Sequence, residues 1–286
     1  QVIPLPKIPL ENLKSAIIYE AENYVPLSIE KVYLDYQIIS PLENNLDHYD
    51  VLIAAMEKEI VDSYLSVLKR AGFQPLAFEV ESQAIARALV EKETSKNPVL
   101  LVDLGATRTS LIIFSGKSLR FTTSIPISSQ LFTALIAKNF RISTEEAESL
   151  KIKYGLKEKF QIRIGSKIRK ERGEIFEILL PALIDLTQQI RKYLDYYRSH
   201  EFHEHLSEKR EISKVLLCGG GANLKGICDF LSMQLKIPVQ LGNPWVNILP
   251  NEKTKIKLSF EESLKYATAL GLALRGVKKN DKFITR

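Results

Sequence analysis

Val99-Leu100-Leu101-Val102 is an unbroken run of apolar β-formers that ends abruptly on Asp103. A strand with one wet face alternates apolar with polar residues. A strand with no polar position is buried on both faces, so its sheet needs a covering layer on each side. Val215–Cys218 repeats the pattern and runs into Gly219-Gly220-Gly221. With 286 residues, 45% apolar and 26% charged, the chain can supply such layers in two domains or one large one. The fold class expected is α/β, in mixed α+β form.

Before this sheet the periodicity predicts a smaller module. Residues 1–9, punctuated by Pro4, Pro6 and Pro9, read as a strand end. Leu10, Leu13, Ile17 and Ala21 share one face of a helix over 10–24, stopped by Pro26. Residues 31–39 and 51–55 are rich in β-formers, giving strand, helix, strand, strand. A helix over 57–70 is closed by Gly72, followed by a short strand at Leu76–Val80 and a helix over 82–92. Asn97-Pro98 marks a boundary, dividing the chain into 1–97 (with the inserted module over about 1–56) and 98–286. Beyond it, strands are expected at 111–114, 119–125, 215–218 and 239–241. Helices are expected at 130–139, 174–200, 224–235 and 262–275, with a capping box at Ser143-Thr144-Glu145-Glu146.

Several functions are disfavoured. No run of about 18 uncharged apolar residues suggests a membrane span. Cys218 and Cys228 are too few for a disulfide framework and read as reduced thiols. His200, His203 and His205 lack a matching ligand set and read as a solvated helix end. Net charge is +6, and nine basic residues fall between Lys151 and Arg172, among them Lys167, Arg169 and Lys170. Without interleaved aromatics this patch reads as a solvated connector, not a nucleic-acid platform.

Four segments could carry chemistry. In Asp103-Leu-Gly105-Ala106-Thr107-Arg-Thr109 a buried strand ends in an acid and a tight turn. Gly105 lets backbone N–H groups face an anion, Thr107 and Thr109 add hydroxyls, and Asp103 is suited to Mg²⁺. A plain hairpin turn would look similar. In Gly219-Gly220-Gly221-Ala222 the glycines permit close backbone approach to a ligand, with a helix N-terminus beyond, or else close packing of strand on helix. Glu148 and Lys151, three apart on a helix, can jointly hydrogen-bond a sugar or form a surface ion pair. The small-residue stretch Ala267 to Gly276 reads as packing material. Glu79 and Glu81, near the crossover, are candidates to position water; a structural role fits each as well.

In this order and spacing the four segments resemble the second half of the actin/Hsp70/FtsA superfamily, an actin-like ATPase (ribonuclease H-like) fold. Leu13-Lys-Ser-Ala-Ile-Ile-Tyr-Glu-Ala-Glu-Asn-Tyr-Val-Pro-Leu, Val32-Tyr-Leu-Asp-Tyr-Gln, residues 51–87 and Ala269-Leu-Gly-Leu-Ala-Leu-Arg are similar to the PilM family of type IV pilus assembly. The resemblance implies that Asp103, Gly105, Ala106, Thr107 and Thr109 form a second phosphate loop. It matches Glu148 and Lys151 to a ribose-contacting pair and Gly219, Gly220, Gly221 and Ala222 to an adenosine loop. The acidic turn and the glycine turn are then expected to converge from opposite sides of one cleft.

The family's opening Asp-Ile-Gly-Ser hairpin, a first phosphate loop, is missing from the sequence, so the chain is expected to be N-terminally truncated relative to the family. The implied cofactors are ATP and Mg²⁺, with Asp103 reaching the metal through the nucleotide. The implied partners are the cytoplasmic N-terminal tail of a PilN-like membrane protein and other pilus platform proteins, with self-association and peripheral membrane association through partners. The implied place is the cytoplasmic face of the bacterial inner membrane, and the implied process is pilus biogenesis and twitching motility. Activity is at most weak ATP hydrolysis. An actin-fold small-molecule kinase and an FtsA-like division protein are the alternatives. The inserted module argues against the first, and the short polar end 277–286 against the second.

Overall fold

The computed structural model describes residues 2–39, 48–156, 160–164, 167–171, 174–199, 211–248 and 257–277. The chain opens with β1 (Val2–Pro6), α1 (Leu10–Ala21), β2 (Val32–Ile39) and β3 (His48–Glu57). β3 lies between the other two strands and is antiparallel to both. Leu13, Ile17 and Ala21, each four residues from the next, turn one face of α1 onto Ile3, Leu5, Val51 and Ile53. This is the strand–helix–strand–strand module expected from the sequence.

Helix α2 (Lys58–Arg70) ends as the glycine predicts. Gly72 sits at φ 84, its N–H bonds to the Lys69 carbonyl at 3.0 Å, and the Phe73 N–H reaches Leu68 at 2.9 Å. That double closure satisfies two carbonyls at the helix end. The strand expected at Leu76–Val80 does not form: residues 73–80 carry neither helix nor ladder. β-forming side chains make a strand only where a neighbouring backbone offers hydrogen bonds.

Helix α3 (Glu81–Leu89) follows, then β4 (Ser95–Leu104), β5 (Thr109–Gly116) and β6 (Ser118–Ile125). Next come α4 (Ser129–Phe140), α5 (Thr144–Tyr154), the hairpin β7 (Phe160–Ile164) and β8 (Lys167–Glu171), and α6 (Glu174–Ser199). The chain continues through β9 (Lys214–Cys218), α7 (Ile227–Leu235), β10 (Val239–Leu241), α8 (Phe260–Ser263) and α9 (Ala267–Val277). The β7–β8 hairpin stands where a solvated connector was expected, because its basic residues mask the alternation of Phe160, Ile162 and Ile164. The basic side chains from Lys157 to Arg172, the three histidines and residues 278–286 lie outside what is described.

A five-stranded sheet ordered β10-β9-β4-β5-β6 organises this half, with β9 and β10 parallel and β5 antiparallel to the central β4. Successive residues of β4 serve opposite layers. Leu100 and Val102 join Phe132 and Ile136 of α4 and Leu183, Leu186 and Ile190 of α6. Val99 and Leu101 join Ile85, Ala88 and Leu89 of α3 and Ala267 of α9. This two-sided burial is what the apolar run requires, and each such side chain contributes about 1.5–3 kcal/mol. Helices α3 and α9 cross so closely that a Cβ at Gly271 would stand 1.8 Å from the Ala84 carbonyl oxygen. A buried ion pair, Arg120 Nη1 to Asp50 Oδ2 at 3.0 Å, ties β6 to β3 of the small sheet.

Candidate functional site

β4 and β9 run side by side in register, Asp103 opposite Cys218, and both end at the same edge of the sheet. The turn from β4 to β5 is closed by the Gly105 N–H donating to Arg108 O at 3.0 Å. Helix α4 then docks on it: Ser129 and Gln130 N–H groups donate to the Gly105 and Ala106 carbonyls, both at 3.0 Å. Ala106 and Thr107 remain exposed at the tip. Thr109 is different. It begins β5 with its side chain inward, and its hydroxyl donates to Ile127 O at 2.6 Å in the core. The anion-donor role expected of Thr109 is therefore taken up by the fold itself.

The acidic turn and the glycine turn do come together, though they touch along one sheet edge and do not face each other across a cleft. Gly219 has φ 81, and a Cβ there would lie 2.3 Å from Asp103 Oδ1 and 2.7 Å from Leu104 O. A Cβ on Gly221 would meet Leu104 Cγ at 2.5 Å. Gly220 alone looks into open space, with nothing within 4 Å. Thus Gly219 and Gly221 are glycines because β4 presses on them, and Gly220 is free to let a ligand approach. Ala222 is turned into the core. The run itself winds into a 3-10 turn over Gly220–Asn223, and α7 starts only at Ile227. The helix-terminus field expected directly after the glycines is displaced accordingly.

The two candidate acids at the start of α3 part company. The Glu79 side chain is wholly buried, held by both Nη atoms of Arg87 at 2.5 and 2.9 Å and by Arg275 at 3.3 Å. It links α3 to α9 as a structural group. Glu81, two residues on, is the first residue of α3 and stands at the sheet edge, 3.5 Å from Arg108 and accepting from the Thr268 hydroxyl at 3.2 Å.

Glu81 and burial together shape the chemistry of Asp103. Its pKa is raised to about 6, first by burial and then by the Glu81 carboxylate; the Cys218 thiol and Arg108 work in the opposite sense. Burial, and after it Asp103, pushes the Cys218 thiol well above its ordinary value. A carboxyl whose charge is opposed by burial and by a neighbouring carboxylate is a setting that a hard cation relieves. No group of three or more His, Cys, Asp or Glu side chains that could hold a metal occurs among the described residues. A cation on Asp103 would take the rest of its oxygen shell from water and phosphate, as Mg²⁺ commonly does.

Glu148 and Lys151 on α5 are connected to this edge. The Lys151 ammonium is buried and donates to Ser129 Oγ at 2.7 Å, Thr133 Oγ1 at 2.8 Å and Ser129 O at 3.0 Å, and it pairs with Glu148 at 2.8 Å. Thr133 donates to the same Glu148 oxygen. Burial opposes the Glu148 charge, but the hydrogen bonds from Lys151 and Thr133 outweigh it and hold its carboxyl below the ordinary value. Ser129 thus connects Lys151 with the Gly105 turn. At the other end of α5, Leu156 N–H donates to Lys225 O at 2.8 Å, fastening α5 beside the glycine turn. Lys151 is committed to the fold, while Glu148 keeps an exposed carboxylate oxygen face. Arg108, Thr268 and Ser129 belong to the cluster but carried no sequence signal of their own; Thr268 lies 187 positions from Glu81.

A doubly covered sheet with an acidic turn and a glycine turn meeting at its edge is the actin-like ATPase fold. MreB5 of Spiroplasma citri bound to AMPPNP superposes with a TM-score of 0.59 at 20% identity, covering 79% of this chain and 67% of that one. The chain belongs to the type IV pilus assembly protein PilM family, whose model matches residues 2–277. A solved PilM-PilN type IV pilus biogenesis complex superposes with a TM-score of 0.75 at 29% identity, covering 97% of this chain and 76% of that one. The cell division protein FtsA of Pseudomonas aeruginosa is 24% identical over 223 residues, 74% of this chain and 50% of FtsA. The chain spans about half the length of the curated relatives it matches.

Proposed function

We propose that this chain is a nucleotide-binding scaffold of type IV pilus assembly that takes the cytoplasmic tail of a PilN-like inner-membrane protein. The observation that carries the reading is the superposition of nearly the whole chain, 97%, on a solved PilM-PilN complex. ATP with Mg²⁺ would lie at the edge where Asp103 meets Gly219. Asp103, steadied by Arg108 and the Cys218 thiol, carries the charge for the metal. Thr107 offers a hydroxyl at the turn tip and Gly220 an unhindered backbone. Glu148, oriented by Lys151 and Thr133, accepts from ribose hydroxyls. Bound nucleotide supplies the negative charge that this edge, with its glycines and Arg108, can receive.

Binding to both halves would favour a closed arrangement of the small sheet and the large one and so alter the surface offered to the partner. The reading is of a scaffold and not of a fast enzyme: Glu79 is locked between two arginines, and Glu81 is engaged by Arg108 and Thr268. No described helix is long and apolar enough to cross a membrane. The partner tail would bring the chain to the inner face of the membrane, among the other pilus platform proteins.

The test is titration of a fluorescent peptide copying a PilN-like cytoplasmic tail into the chain, with and without Mg·ATP. Saturable binding that nucleotide changes several-fold supports the reading. A peptide that does not bind under either condition overturns it. Rapid phosphate transfer to sugars or small acids in a coupled assay would assign the fold to a kinase instead.

A further inference from the structure

Ser128 and Ser129 stand side by side at the start of α4 and have different tasks. The Ser128 hydroxyl caps the helix, accepting from the Leu131 N–H at 3.2 Å. With the cap supplied, the Ser129 hydroxyl is left for another partner, and it accepts from the Lys151 ammonium at 2.7 Å. The Ser129 main chain is engaged as well. Its N–H, which a first helical residue cannot use inside its own helix, donates to Gly105 O at 3.0 Å, and its carbonyl accepts from Lys151 at 3.0 Å. One residue therefore holds the acidic turn with one group and the Lys151–Glu148 pair with two others.

A Glu and a Lys three apart on a helix ordinarily meet at its surface. Here the lysine is drawn inward and is only 4% exposed. A buried ammonium needs acceptors for its three N–H groups. Those that Lys151 finds beyond Glu148 are Ser129 Oγ, Ser129 O and Thr133 Oγ1, all in the opening turns of α4. The place of the Glu148 carboxylate is thus set from α4, and α4 is set against the acidic turn. With its donors taken, Lys151 acts on a ligand through Glu148 and not by a bond of its own.

We propose that Ser129 is a positioning residue that couples the two ends of the nucleotide site, so that phosphate and ribose are not recognised independently. The inference rests on the nucleotide reading of this edge. Ligand oxygens held at the Asp103–Gly105 turn steady the start of α4. Through Ser129 and Lys151 they steady the carboxylate that meets the sugar. Coupling of this kind is reciprocal, and a sugar held by Glu148 favours binding at the turn by the same factor.

The experiment is calorimetric titration of the chain with Mg·ATP, Mg·deoxy-ATP and magnesium tripolyphosphate, which has no sugar, with folding checked by circular dichroism. Ser129→Ala should weaken tripolyphosphate binding by about fivefold and lower the preference for ATP over deoxy-ATP by a similar factor. Ser129→Thr, which returns the hydroxyl, should restore both. Lys151→Met, which removes the cation at the other end of the relay, should reproduce the double effect and serves if Ser129→Ala does not fold. Glu148→Gln should lower the sugar preference alone. A folded Ser129→Ala or Lys151→Met protein changed at one end only, or at neither, overturns the inference and leaves the nucleotide reading standing. A wild type that takes up neither Mg·ATP nor tripolyphosphate overturns that reading, and the inference with it.

Discussion

Asp103 and Gly219 occupy each other's space: a methyl group at 219 would come 2.3 Å from the Asp103 carboxylate, closer than non-bonded atoms approach. The contact joins the ends of two parallel strands, and it fixes the one acidic group of the acidic turn against the glycine run. Gly220, one residue later, touches nothing within 4 Å. Adjacent glycines therefore have separate reasons to be glycine. Gly219→Ala, strained both by φ 81 and by the collision, should cost about 2–4 kcal/mol and lower the melting temperature by several degrees. Gly220→Ala should melt within about a degree of wild type and show its effect in nucleotide titration instead. Differential scanning calorimetry of the pair checks this.

The proton on Asp103 gives a pH signature. Its folded pKa of about 6 lies above the unfolded value near 3.8, so the native state holds the proton more tightly than the unfolded chain does. The stabilisation is complete below about pH 4 and is lost as pH rises through about 6. It amounts to roughly 2 kcal/mol, allowing for partial solvation of the group. Asp103→Asn, which cannot ionise, should abolish that slope. Urea midpoints between pH 4.5 and 7.5 for the two proteins should diverge, with the variant relatively more stable at the upper end.

Lys151 and Glu148 should respond unequally. Removing the lysine by Lys151→Ala leaves Ser129 Oγ, Thr133 and Glu148 without their cation and opens a buried hole, costing about 2–4 kcal/mol. Glu148→Gln keeps the shape and leaves Lys151 its bonds to Ser129 and Thr133, so its cost should stay near or below about 1 kcal/mol. Chemical denaturation separates the two. A Glu148→Gln protein should discriminate ATP from deoxy-ATP less well than wild type.

Much of the fold was legible. The all-apolar run at 99–102 implied a sheet covered on both faces, and that is its environment. Ser143 and Glu146 announced a capping box, and both of its hydrogen bonds are present. Gly72 marked the end of α2. What escaped has identifiable physical causes. Leu76–Val80 has strand-like residues, but composition cannot say whether a partner backbone is there. The 160–171 hairpin was hidden because charge on one set of positions looked like a connector. Glu79 and Glu81 were indistinguishable by type and spacing. Only the folded chain shows one between two arginines and the other at the helix start beside Asp103. Thr109 could not be known to point inward until the register Thr109↔Leu104 placed it at the first position of β5.

The α3–α9 crossing offers a further check on the architecture. With Ala84 O only 1.8 Å from the position of a Cβ at 271, Gly271→Ala must push the helices apart and disturb the Arg87 bond to Gly271 O at 3.1 Å. Such overpacking against backbone should cost about 2–3 kcal/mol. Thermal melts of Gly271→Ala beside Gly276→Ala, where a Cβ meets nothing within 4 Å, make the comparison direct.

The measurement that bears most directly on the nucleotide reading is calorimetric titration of the chain with Mg·ATP, run in parallel on Asp103→Asn and Gly220→Val. The sheet-edge site requires saturable, magnesium-dependent binding by the wild type that each substitution weakens at least tenfold while the melting curve of Gly220→Val stays close to wild type. Binding equally strong in all three proteins, or no heat from a folded wild type at millimolar nucleotide, contradicts it.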